Sequence, residues 1–193
     1  MRPRIDERES EMLATVVRLL ETEGHEAVQV RRVAAEASAS LATLYRVFGT
    51  RDELILRALE SWMTDHAYVR LDDLPADGVP AERLSAMVHA VFAPWERQPH
   101  MLAAYVRARW APGGRRLDDL GFGLVNPRAF DVLADFDPEF VSDFAAIVQH
   151  VMLAALGRFA AGEITVEEIV SLLDRTITRL IPPVSAQRRD APG

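Results

Sequence analysis

Cysteine is absent from this 193-residue chain, and so is lysine, leaving arginine as the source of all 22 basic side chains. The first absence excludes disulfide staples, thiolate metal centres and a cysteine nucleophile. The second points to GC-rich coding rather than to a mechanism. Long hydrophobic runs are also scarce, with apolar stretches far short of the roughly 18–20 residues that span a bilayer. The amino terminus, MRPRIDERESEM, is charged where a secretory signal needs an apolar core. No membrane partner and a cytoplasmic location are therefore expected. Gln29 stands where His25-Glu26 would need a second histidine to form a zinc-protease motif, and His66, His89, His100 and His150 show no ligand spacing. A Gly-rich phosphate loop and a G-x-S-x-G turn are missing too. An enzyme, a metal and a cofactor are all unexpected.

What is present suits a globular protein, with 49% hydrophobic and 26% charged residues and no internal repeat. This length accommodates one sizeable core or two small ones. The formal net charge of -7 argues against binding nucleic acid over the whole surface, because phosphate affinity comes from clustered cations. Any such binding must be local.

Taken in order, the spacing of Met12, Val16, Leu19 and Leu20 predicts an amphipathic helix from Asp6 to Glu23, ended by Gly24. Ahead of it, Arg2 and Arg4 are expected on a loose arm. Val28, Val30, Val33, Ala34 and Ala37 then supply the inner face of a short second helix, with Arg31 and Arg32 outward. Ser38-Ala39-Ser40 makes a turn, and Ser40 is placed to cap a third helix, Leu41 to Phe48, that turns Leu44 and Phe48 inward. Thr50-Arg51-Asp52-Glu53 has the form of a capping box opening a fourth helix that runs to about Tyr68. Leu71 to Pro80 reads as a loop, and Leu84, Met87, Val88, Val91, Phe92 and Trp95 as a fifth helix. A sixth spans His100 to about Trp110. The segment from Pro112 to about Asn126, with Gly121, Gly123 and Pro127 nearby, is expected to be irregular. Asp137-Pro138-Glu139 opens a long helix, apolar almost all round from Phe140 to Phe159, which should be buried on several sides and meet a partner subunit. Thr165 starts the last helix and Pro182-Pro183 stops it.

Two short helices joined by a tight turn, the second carrying small, hydroxyl-bearing and basic residues outward, form the pattern of a helix-turn-helix that lays its second helix in the major groove. Ala42 allows close approach, while Thr43, Tyr45, Arg46 and Arg51 offer groups for phosphates or base edges. Gly24-His25-Glu26-Ala27, Val33-Ala34, Ala37-Ser38-Ala39-Ser40 and Thr43-Leu44-Tyr45-Arg46-Val47-Phe48-Gly49-Thr50-Arg51-Asp52-Glu53-Leu54 resemble the N-terminal domain of TetR-family transcriptional regulators. The resemblance spans about Met12 to Leu59. Departures from it fall at Gln29, at Ser38, where the family usually has glycine, at Ala42 and at Val47, and they bear on the operator sequence. It implies DNA contacts from Gln29, Arg31, Leu41, Ala42, Thr43, Tyr45, Arg46 and Arg51. For the remainder it implies a helical ligand-binding and dimerisation domain whose last two helices form a four-helix bundle with a second copy, setting two reading helices about one DNA turn apart on a palindromic double-stranded operator.

The expected architecture is therefore all-α, with a three-helix helix-turn-helix DNA-binding domain over residues 1–50, a helical effector-binding and dimerisation domain over 51–185, and a disordered tail over 186–193. The expected function is that of a ligand-responsive repressor that leaves its operator on binding an apolar small molecule. The alternative is a helical adaptor that keeps the fold without reading DNA. Trp62, Met63, Met87, Phe92, Trp95, Met101, Tyr105, Trp110, Phe144 and Met152 are candidates for the effector site, because Met and aromatic side chains suit adaptable apolar pockets. Gln149 and His150 join them as polar residues on an otherwise apolar helix.

Overall fold

A computed structural model describes residues 3–181, and every regular element among them is helical. Nine α-helices follow in order: α1 (Pro3–Glu23), α2 (Val30–Glu36), α3 (Leu41–Phe48), α4 (Arg51–Trp62), α5 (Pro80–Arg97), α6 (Pro99–Ala108), α7 (Arg115–Val132), α8 (Pro138–Ala160) and α9 (Val166–Leu180). The chain divides into two units, one of Met1–Val69 with Pro94–Phe122 and one of Arg70–Ala93 with Gly123–Gly193. Because α1 begins at Pro3, the Arg4 backbone lies in the helix and not in an arm. Arg2, the Pro182-Pro183 stop and the 186–193 tail lie outside the described residues.

In the first unit α1 packs against α4 and α6, and α4 also meets α6 and α3. Met12, Val16, Leu19 and Leu20 on α1 are at most 1% exposed, and each such side chain contributes about 1.5–3 kcal/mol by leaving water. Gly24 ends α1 with its N–H donating to the carbonyls of Leu19 and Leu20 at 3.1 and 3.2 Å, at a φ of +80° that side-chain-bearing residues avoid. The α4 helix continues into a π-helical turn, Met63–Ala67, which brings Tyr68 against α7. A Cβ on Gly121 would lie 2.6 Å from the Tyr68 hydroxyl, so glycine is what lets the two segments meet there.

Three expectations need correction. The Thr50 hydroxyl accepts the Glu53 N–H at 3.1 Å, but the Glu53 carboxylate does not reach back; it takes Arg116 at 2.8 and 2.9 Å. A full charge outcompetes a backbone N–H for that carboxylate, and the reciprocal box forms instead at Thr165 and Glu168 of α9. Residues expected to be irregular up to Asn126 lie in α7. Its first turns are held by the buried Leu117, by Arg116 on Glu53 and Glu60, and by Asp118 on Arg109. Such tertiary contacts override the low helix propensity of Gly121, Gly123 and Pro127. Further along, Arg128 donates to the Leu124 carbonyl at 2.6 Å and pairs with Asp72.

The third correction concerns α8. By length and composition alone it could cross a bilayer, since its most apolar 18-residue window has a mean hydropathy of 1.6, and only 17% of that window is buried. Single polar residues such as Ser142, Gln149 and His150 break its apolar runs without lowering the average much. Phe144, Ala155 and Leu156 are the buried residues of this helix, so within one chain most of its apolar surface is uncovered. Within the second unit α8 packs on α9, whose inner face is Val166, Ile169, Val170, Leu173 and Ile177.

Ser38, in the turn between α2 and α3, has a φ of +49°, the left-handed region that favours glycine. Ser38→Gly should therefore raise unfolding stability by about 1 kcal/mol, measured by chemical denaturation. A loss of stability would show that the serine side chain contributes more than its backbone strain costs.

Candidate nucleic-acid interface

The candidate interface is built on a contrast within α3. Leu44 and Phe48 are 2% and 4% exposed, while Leu41 and Tyr45 are 39% and 54% exposed. Ala42 and Arg46 are exposed with them and Thr43 is half-buried. One helical face therefore anchors the element and the opposite one is left to solvent, as the 3.6-residue period dictates. Ser40 fixes the start of the helix, accepting the Thr43 N–H at 3.0 Å, and its hydroxyl also meets the Thr43 hydroxyl at 2.9 Å.

Cations around α3 differ in what they are free to do. Arg32 is held by Glu23 at 2.5 Å and Glu36 at 2.7 Å, and Arg18 also pairs with Glu36. By contrast, Arg31 and Arg46 are exposed and form no ion pair among the described residues. Gln29, exposed, is the N-terminal cap residue of α2, and its side chain makes no capping bond. The half-buried Arg51 donates to the His25 carbonyl at 2.7 Å and to the Val28 carbonyl, which braces the turn ahead of α2 against the start of α4. Arg57 sits over the Phe48 ring, 5.4 Å from its centroid, and pairs with Glu9, tying α4 to α3 and α1.

The twelve effector candidates are shared between the two units. In the first, Trp62, Trp95 and Tyr105 form a buried aromatic chain with centroid separations of 4.5 and 5.6 Å. The Trp62 indole donates to Glu21 at 2.9 Å, and the Tyr105 hydroxyl bonds Asp118, which also takes Arg109. Burial, then Asp118, pushes the Tyr105 hydroxyl pKa up, keeping it neutral. Met63 and Met101 are core residues of the same unit, whereas Trp110 is 79% exposed and borders a cleft of about 280 Å³ with His25, Arg51 and Arg107. In the second unit Met87, Phe92 and Phe144 are buried, and Met152 is half-buried. Gln149 lines a shallow groove of about 530 Å³ with Phe130, Leu133, Phe136 and Val141. His150 is exposed, with its Nδ1 2.6 Å from the Ala146 carbonyl.

Residues 13–58 match the family model for bacterial regulatory proteins of the tetR family. Residues 78–180, more than half of the chain, match that for the tetracyclin repressor-like C-terminal domain. The chain belongs to the TetR family. It is 31% identical over 184 residues to the HTH-type transcriptional repressor KstR of Mycobacterium tuberculosis, covering 91% of this chain and 81% of the relative. A TetR transcriptional regulator from Rhodococcus sp. RHA1 shares the fold with a TM-score of 0.70 at 17% identity, over 96% of this chain and 100% of that one. FadR of Bacillus subtilis, solved in complex with stearoyl-CoA, does so with a TM-score of 0.66 at 10% identity, over 89% and 97%. This TetR-family chain is accordingly a DNA-binding transcriptional regulator of the helix-turn-helix type.

Two features of this TetR-family head were not legible in the sequence. Arg57 looks like any solvent-facing helix arginine, and His25 carries no local signal of burial. Yet His25 is half-buried with its Nδ1 3.4 Å from Arg51. Burial, then the charges of Arg51 and Arg107, push its pKa down from 6.5 to about 4. Between those values the unfolded chain binds a proton that the folded one excludes, so acidification from pH 6.5 toward 4 removes stability. In denaturant titrations at pH 7 and pH 5, His25→Gln should lose less stability on acidification than the wild type. An identical loss in both would mean that the imidazole protonates freely in the folded state.

Proposed function

We propose that this regulator is a homodimeric repressor that lays α3 of each copy into successive major grooves of a palindromic operator and leaves it when an apolar effector binds. The observation that carries the DNA part is the outward set of Leu41, Ala42, Tyr45 and Arg46 over the buried Leu44 and Phe48. Gln29, Arg31 and Thr43 flank that set and would add phosphate contacts, with Arg51 holding the turn in place. A repressor role is supported by the name of KstR, and a cytoplasmic site of action goes with it.

The dimer would form through α8 and α9. An apolar α8 left open in one chain, with Ile147 43% exposed and the groove bordered by Phe130 and Phe136 beside it, supports this better than a membrane role. Two copies would set the reading helices about one DNA turn apart, roughly 34–36 Å. In functional terms residues 1–50 would be the reading head and 51–185 the effector and dimerisation domain. The apolar and aromatic side chains of the latter would receive the effector, for which an acyl-bearing molecule is the first choice, supported by stearoyl-CoA in FadR. Effector binding would tilt α4 and alter the separation of the two α3 helices. It can do so only through different affinities for the two spacings.

Selection of bound duplexes from a random pool tests the DNA part. A palindrome should emerge, and Tyr45→Ala and Arg46→Ala should each weaken binding to it by roughly tenfold, since contacts of this class are worth about 1–3 kcal/mol. Dimer mass and melting temperature should stay unchanged. Recovery of no enriched sequence would sink the DNA role. On α8, Ile147→Glu should convert the dimer to monomer in sedimentation and abolish binding to the full palindrome. A dimer that survives this change would place the interface elsewhere.

A further inference from the structure

The surface that α3 leaves exposed is chemically narrow. Among its eight residues, Leu41-Ala42-Thr43-Leu44-Tyr45-Arg46-Val47-Phe48, there is no Asn, Gln, Asp, Glu or Lys. Asn and Gln read adenine through paired hydrogen bonds, and Asp and Glu accept from cytosine. The helix has none of these. Its single arginine can serve a guanine or a phosphate, and the Thr43 hydroxyl is already engaged with Ser40 at 2.9 Å.

What α3 offers instead is apolar. Leu41 and Tyr45, 39% and 54% exposed, lie four residues apart on one face, and the exposed Ala42, three residues before Tyr45, widens the patch within the first turn. The first turn of a reading helix is the part that meets base edges. In the major groove the apolar group on a base edge is the 5-methyl of thymine. No carboxylate side chain of α3 competes for the space, and the small Ala42 lets the helix come close.

We infer that this regulator selects its operator through thymine 5-methyl groups packed on Leu41 and Ala42. The inference rests on α3 being the reading helix, as proposed above. Hydrogen bonding from Arg46 and the Tyr45 hydroxyl then positions the helix, and methyl contact supplies the discrimination at its first turn. Thymines should accordingly sit at matching places in the two half-sites.

The palindrome recovered from the random pool, resynthesised with deoxyuridine in place of thymidine, tests this directly, because the change removes methyl groups and keeps every base-pair hydrogen bond. Each buried methyl is worth about fourfold in affinity, so one contacted thymine per half-site predicts a loss of about fifteenfold for the duplex. The salt dependence should be the same for both duplexes, since no phosphate contact is altered. In Leu41→Ala the ratio between the two duplexes should shrink to roughly a few-fold, whatever the absolute affinity. Wild-type binding that is equal for the two duplexes would overturn the inference and leave the DNA role intact. A loss accompanied by a shallower salt dependence would also overturn it, by assigning the effect to phosphate contacts. Failure to enrich any duplex from the pool would remove both.

Discussion

Leu54, Ile55, Leu56, Ala58, Leu59 and Trp62 are each no more than 2% exposed, so the buried face of α4 cannot slide along its neighbours without opening a void. Protein interiors are packed too densely to deform smoothly, and a helix held in this way moves with its neighbours or not at all. The reading helix is one of those neighbours. Arg57 reaches from α4 to the Phe48 ring and to Glu9, and Arg51 at its first turn grips the carbonyls of His25 and Val28. A rotation of α4 would thus carry α3 with it.

Charge is managed separately from packing. On a chain with a net charge of -7, several arginines are spent on carboxylates of the same chain, among them Arg18 and Arg32 on Glu36, Arg32 on Glu23, and Arg116 on Glu53 and Glu60. Pairs this exposed add little stability, because solvent screens them. Their larger consequence is selective: they withdraw cations from the pool that could meet phosphate, leaving Arg31 and Arg46 near α3.

Local patterns were legible wherever a short stretch decides its own conformation. The inward pair Leu44 and Phe48, the Ser40 cap, the Gly24 stop and the span of α3 all follow from 3.6-residue periodicity and from backbone N–H groups that need acceptors. Departures came where distant residues compete. Glu53 left its cap for Arg116, sixty-three residues away, and Arg116, Leu117 and Asp118 held α7 together across glycines that by themselves suggest a break. For the effector candidates the sequence showed residue type alone, and the structure separates them into core aromatics such as Trp62, a solvent-exposed Trp110 and groove residues such as Gln149.

The sequence by itself determined the identity of the reading head, because a helix-turn-helix is specified by about thirty consecutive residues whose spacing sets which side chains face in and which face out. Only the tertiary structure decided which of those side chains are available. Arg31 and Arg32 are adjacent in sequence and equal in chemistry, yet one is exposed and unpaired among the described residues while the other is clamped between Glu23 and Glu36. His25, whose burial no local pattern marks, ends half-buried beside Arg51 with its pKa pushed down to about 4. Spacing along a helix fixes direction, but partners and burial depend on what the folded chain brings within a few ångströms, and no local period encodes that.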